Sequence, residues 1–174
     1  CQHEGVAPDI LTLAKILGGG VMPIGAFLAR PEVFAPFDEN PYIHSSTFGG
    51  NALACAAGLA TLEALAEEGL VEQAAEKGRY LLEGLLDIAA RYPDVIREVR
   101  GRGLMIGIEL ARPGLGGAII ADIIANGLIA IHSLNNDTVI RFLPPAVVTR
   151  EQMDRALAIF SGAVHNAMKL QNEV

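Results

Sequence analysis

Lys15 stands inside an apolar run, ILTLAKIL over residues 10–17, and is followed at once by Gly18, Gly19 and Gly20. An ammonium group in such surroundings loses hydration, which disfavours the charged form and lowers the pKa. The neutral amine that results is a nucleophile suited to Schiff-base formation with a carbonyl, of a substrate or of pyridoxal phosphate. The competing reading is a lysine that lays its stem on apolar neighbours and its head in water. A second candidate is the segment HSSTFGGN, where Ser45, Ser46 and Thr47 precede Gly49, Gly50 and a helix start. Free N–H groups and the helix dipole make that junction an anion site, most plausibly for phosphate; its alternative is an ordinary helix start with hydroxyl caps. A third is Arg141 in VIRFLPP. Its planar fork suits a carboxylate, unless it faces solvent or pairs with a local acid.

The elements that must position these groups follow from periodicity. Residues 10–14 read as a short buried strand with Lys15 at its exit, and 24–29 as a second strand bounded by Pro23 and Pro31. Pro31 suits the first position of a short helix running to about Phe37. Residues 51–68, rich in alanine, predict a largely buried helix closed by Gly69. Residues 70–91 predict an amphipathic helix with Leu81, Leu85 and Ile88 near helical spacing, ended by Tyr92-Pro93. Shorter pieces follow: strands over 95–99 and 104–110 around RGRG, a helix over 118–125, and strands over 128–131 and 138–143. A last helix starts at a T-x-x-Q capping box, Thr149 to Gln152, and runs to around Leu170. The change from long helices to short β-rich pieces places a boundary close to Gly69, giving units 1–69 and 70–174.

Composition narrows the classes. With 174 residues, 51% of them hydrophobic, the chain can bury a real core. Twenty acidic against thirteen basic side chains, net −7, argue against nucleic-acid or anionic-membrane partners and favour small-molecule chemistry. Cys1 and Cys55 form no disulfide framework and no metal-ligand spacing, so no metal is expected, and a reducing cytoplasm fits. The charge-poor window 16–29 is too short, and too rich in glycine and proline, for a membrane span. No cationic, apolar leader precedes it. The start CQHEG, inside what reads as a loop, suggests a piece of a longer protein.

Four segments taken together, PDILTLAKILGGGVMPIGA, HSSTFGGNALACAAGLATLE, EVRGRGLMIGIEL and LNNDTVIRFLPP, resemble the class III aminotransferases, pyridoxal-phosphate enzymes of fold type I. The wording NPYIHSSTFGGNALACAA and SLNN is similar to the putrescine-type members. The resemblance implies an α/β fold: a C-terminal remnant of the large cofactor-binding domain through residue 69, then the small C-terminal α/β domain. It implies that Lys15 forms the internal aldimine with pyridoxal 5′-phosphate and then moves the proton, and that Thr47, with Ser46, holds a cofactor phosphate belonging to the partner subunit of a homodimer. Arg141 is implied as the group that binds the carboxylate of an amino acid or 2-oxo acid. The implied reaction passes nitrogen from a primary amine or ω-amino acid, putrescine-like, to 2-oxoglutarate. Acetylornithine, ornithine and 4-aminobutyrate remain alternative donors. An aminomutase, racemase or decarboxylase on the same fold, or a non-catalytic truncated domain, stay as rivals. The family's own phosphate turn, stacking ring and the aspartate that keeps the ring nitrogen protonated find no counterpart in these residues, so the 174-residue chain alone is expected to be inactive.

Overall fold

The structure, a computed structural model, describes residues 1–172, with side chains to Lys169. The chain divides into two compact units, residues 1–68 and the remainder from Gly69 onward.

In the first unit, β1 (Ile10–Leu13) and β2 (Ala26–Ala29) form an antiparallel two-stranded ribbon in the register Ile10↔Ala29 to Leu13↔Ala26. Between them lie a single 3-10 turn, Lys15–Gly18, and the left-handed glycines Gly19 and Gly20. Helix α1 (Pro31–Glu39) begins with Pro31 in its first turn, where the missing N–H is no loss, and continues past Phe37 to Glu39. Its Phe34 and Phe37 close on Phe27 of β2 and on His44, with ring centroids 5.1 to 6.0 Å apart. That aromatic cluster fixes the loop feeding Ser45–Thr47. Helix α2 (Ala52–Glu67) follows.

Two expectations fail in this unit. The strand over 10–14 is not buried: Ile10 is 53% and Leu13 38% exposed. Helix α2 is not largely buried either, since only Ala54 and Gly58 are, while Leu53, Leu59 and Leu62 are all more than half exposed. An apolar sequence reports a preference for burial, and a two-stranded ribbon with one helix has too few layers to satisfy it.

The second unit meets that preference. Helix α3 (Leu70–Arg91) matches its predicted span; β3 (Ile96–Arg102) and β4 (Met105–Leu110) form the expected hairpin, but Arg100, Gly101 and Arg102 of the expected RGRG turn continue β3, leaving Gly103 and Leu104 to turn. Helix α4 (Leu115–Ala125) starts three residues before the predicted 118. Strand β5 (Ile131–Ser133) lies later than 128–131, because Leu128 N–H closes on Ile123 O and Gly127 turns at φ 85°. Strand β6 (Asn136–Phe142) and helix α5 (Arg150–Asn172) complete the unit. The sheet order is β3-β4-β6-β5, antiparallel throughout. Leu81, Leu85 and Ile88 of α3, Ile119 and Ile123 of α4, and Phe160 and Val164 of α5 form one core with Ile106, Ile108, Ile140 and Phe142 of the sheet. The capping box is present: Thr149 N–H donates to Gln152 Oε1 at 2.9 Å and Gln152 N–H to Thr149 Oγ1 at 3.2 Å. Among the described residues, no helix is long and apolar enough to cross a membrane.

Candidate functional site

Lys15 sits where β1 ends, at the first residue of the 3-10 turn, with φ 59°. Among the described residues it is the only non-glycine with positive φ. A left-handed backbone costs an L-residue with a Cβ roughly 1–2 kcal/mol, and such strain persists where surrounding structure over-determines it, often at functional positions. This feature was missed in the sequence; the following glycine run, two of whose members are also left-handed, was its only trace.

The surroundings expected for Lys15 need correcting. Its side chain is exposed and the adjacent Ile16 is 72% exposed. The desolvation inferred from apolar neighbours is therefore not supplied by the described residues, since those neighbours belong to an uncovered ribbon and a single turn. Lys15 nevertheless does not project from a convex surface. It lines a shallow groove of about 400 Å³ with Ala14, Pro23, Ile24 and Gly25.

A larger cavity, about 700 Å³, shares part of that lining. Pro23, Ile24 and Gly25 line it too, together with Ser46, Gly49, Gly50 and Asn51. The lysine groove and the Ser-Thr-Gly junction thus share one wall. The junction is a double turn: Gly49 N–H donates to Ser46 O and Asn51 N–H to Phe48 O, each at 3.1 Å. A Cβ on Gly49 would lie 3.2 Å from Ser46 Oγ and 3.3 Å from Ser46 O, so the turn is closely packed there. The helix cap is Asn51, whose Oδ1 accepts from Ala54 N–H at 3.0 Å, so the hydroxyl-cap reading is overturned. Asn51 takes one of the amides an anion would use. The exposed Thr47 takes no part in that cap.

Arg141 belongs to the second unit. It lies on β6 opposite Gly107 of β4 and Ile131 of β5, on the sheet face away from Ile140 and Phe142. Its Nε donates to His132 O at 3.2 Å, which fixes the guanidinium along the edge strand. The local-acid reading is not realised: among the described residues no carboxylate lies within ion-pair reach of it, whereas Arg97 and Arg100 on the same sheet both pair with Glu109. Gly107, which has no side chain, accommodates Val139, whose Cγ1 would lie 3.3 Å from a Cβ there.

The family model described as aminotransferase class-III matches residues 1–164. A putrescine aminotransferase of Pectobacterium atrosepticum is 50% identical over 157 residues, covering 90% of this chain and 34% of that protein. Among solved structures, an acetylornithine aminotransferase from Elizabethkingia anophelis has a TM-score of 0.86 at 34% identity, over 95% of this chain and 43% of that one. An ornithine aminotransferase from Toxoplasma gondii, crystallised with partial occupancy of PLP at its active site, has a TM-score of 0.88 at 31% identity, over 98% and 40%. The chain spans about a third of the length of the curated relative it matches.

Proposed function

Since the chain belongs to the class III aminotransferases, with their mixed α/β, fold type I architecture, we propose that it contributes the reactive lysine to a pyridoxal-phosphate-dependent transamination. In this reading a primary amine or ω-amino acid passes its nitrogen to a 2-oxo acid, with a putrescine-like donor and 2-oxoglutarate as acceptor. Residues 1–68 then belong to the large cofactor-binding domain, and those from Gly69 onward form the small C-terminal domain. The observation that carries the reading is Lys15, an amine held on a left-handed backbone at the mouth of a groove.

The residues fit the cofactor's chemistry. An amine, a hydroxyl-bearing double turn beside a helix start, and a guanidinium without a carboxylate partner are what an aldehyde, a phosphate and a substrate carboxylate require. When bound, pyridoxal phosphate supplies the electron sink that lets a proton leave the carbon bearing the amine. The Lys15 amine supplies the nitrogen that holds the cofactor and later the base that moves that proton. Thr47, with Ser46, hydrogen-bonds a cofactor phosphate, in our reading that of the partner subunit in a homodimer. Arg141 grips the carboxylate of the 2-oxo acid bidentately, its Nε already committed to His132 O. The putrescine-type donor rests on the 50% identity to the Pectobacterium protein.

The test is a two-substrate assay on the full-length protein, offering putrescine, acetylornithine, ornithine or 4-aminobutyrate with 2-oxoglutarate. Putrescine is expected to give the highest kcat/KM. A higher value for another donor replaces the donor assignment, and failure to form glutamate from any of them overturns the transaminase reading.

A further inference from the structure

The strain at Lys15 needs something to hold it, and its own exposed side chain does not. What lies beneath the turn is helix α2. Gly58 brings that helix's backbone against the turn: a Cβ there would sit 3.3 Å from Ile24 Cδ1 and 3.6 Å from Leu17 O. One helical turn on, Thr61 donates its hydroxyl to Ala57 O at 2.8 Å, which locks its rotamer. The locked oxygen stands where a Cβ on Gly19 would approach to 2.7 Å, so only a glycine fits there. Gly19 in turn closes the lysine turn, its N–H donating to Ile16 O at 2.8 Å.

From this chain of contacts we infer that Thr61 is a positioning residue for Lys15: its fixed hydroxyl, acting through Gly19, sets the height of the turn on α2 and so the place of the amine in its groove. Thr61 lines neither the lysine groove nor the larger cavity. The inference rests on the reading of Lys15 given above. It also gives the glycine run a specific purpose, close seating on a helix, in place of general flexibility.

The experiment is a double-mutant cycle in the full-length protein: wild type, Gly19→Ala, Thr61→Ala and the pair. Each apoprotein is titrated with pyridoxal phosphate by absorbance, the pH midpoint of the lysine-bound spectrum is recorded, and the melting temperature is measured alongside. Gly19→Ala brings a Cβ into the Thr61 oxygen and is expected to weaken cofactor affinity by roughly 10- to 100-fold, the range that overpacking produces, and to move the spectral midpoint. Thr61→Ala in the same chain removes the oxygen and is expected to recover roughly tenfold of the lost affinity, the remainder being the left-handed strain of an alanine, and to return the midpoint. A merely structural contact moves the melting temperature and leaves the midpoint in place.

Affinity and midpoint unchanged in Gly19→Ala, or a pair as weak as the single variant, overturn the inference. If Gly19→Ala does not accumulate, Thr61→Ala alone, which removes the oxygen beneath Gly19, must move the spectral midpoint; an unmoved midpoint there overturns the inference equally. Borohydride reduction of the wild type keeps the two readings apart. Label on Lys15 with no rescue removes only the role of Thr61, whereas label elsewhere removes the assignment of Lys15 as well.

Discussion

Gly78 and Gly117 are both glycines inside helices of the second unit, and the structure predicts opposite outcomes for the same substitution. Replacing a mid-helix glycine by alanine is worth about 1 kcal/mol in intrinsic propensity. Gly117 is the third residue of α4, in its first turn, and a new Cβ there meets nothing within 4 Å, so Gly117→Ala should deliver part of that, about 0.5 kcal/mol of added stability. At Gly78 the new Cβ would lie 2.2 Å from both C and O of Gly103 and 2.6 Å from its Cα. Gly103 is the left-handed turn residue of the β3–β4 hairpin, and backbone has no rotamer with which to evade. Ordinary contact requires the hairpin and α3 to part by about 1 Å, disturbing the packing of Leu81 and Leu85 on Ile106. Overpacking of this kind costs about 1–3 kcal/mol or more, which exceeds the propensity gain. Gly78→Ala should therefore be up to about 2 kcal/mol less stable than wild type once the gain is offset. Thermal unfolding followed by far-UV circular dichroism measures both variants. For a unit of roughly 100 residues the two melting temperatures should differ by about 10 °C or more. A Gly78→Ala protein as stable as Gly117→Ala would refute the packing argument, and with it the claim that α3 seats directly on the hairpin whose second strand neighbours Arg141.

Three further outcomes follow. Arg141→Ala in the full-length protein should raise the 2-oxo acid KM strongly while leaving the spectrum of the lysine-bound cofactor intact; loss of the spectrum would assign Arg141 a structural role. The Tyr80 phenol should titrate above its ordinary value of 10.0, first because Asp154 accepts its hydrogen bond. The bond favours the protonated form, so its stabilisation is present below pH 10 and is lost as pH rises through the folded-state value. Absorbance titration at alkaline pH should show one tyrosine shifted up, and Asp154→Ala, which removes the acceptor, should remove that shift; an unaltered titration in the variant would contradict the assignment. The 174-residue chain on its own should show no useful turnover with putrescine and 2-oxoglutarate, and a rate comparable to that of the full-length protein would overturn this.

The second unit was largely legible in the sequence because its signals are periodic and local. Leu81, Leu85 and Ile88 fall on one stripe of α3, and Thr149 with Gln152 announces α5. The start of α4 was missed because Leu115, Gly116 and Gly117 read as loop; Gly116 is admitted where a Cβ would strike His132. In the first unit, element types were legible and burial was not, since burial depends on partners that a local pattern does not name. The lysine, the hydroxyl turn and the arginine were all recognisable by chemistry. The left-handed backbone of Lys15 and the seat beneath Gly19 were not, because φ and a contact across 42 residues of chain leave no compositional mark.

The central claim is that the Lys15 amine holds the cofactor, and its most direct test is borohydride reduction of the full-length protein loaded with pyridoxal phosphate, followed by digestion and peptide mass mapping. The account predicts a stable pyridoxyl group on the peptide containing Lys15, lost in Lys15→Ala. A pyridoxyl group on any other residue, or none at all, would contradict it.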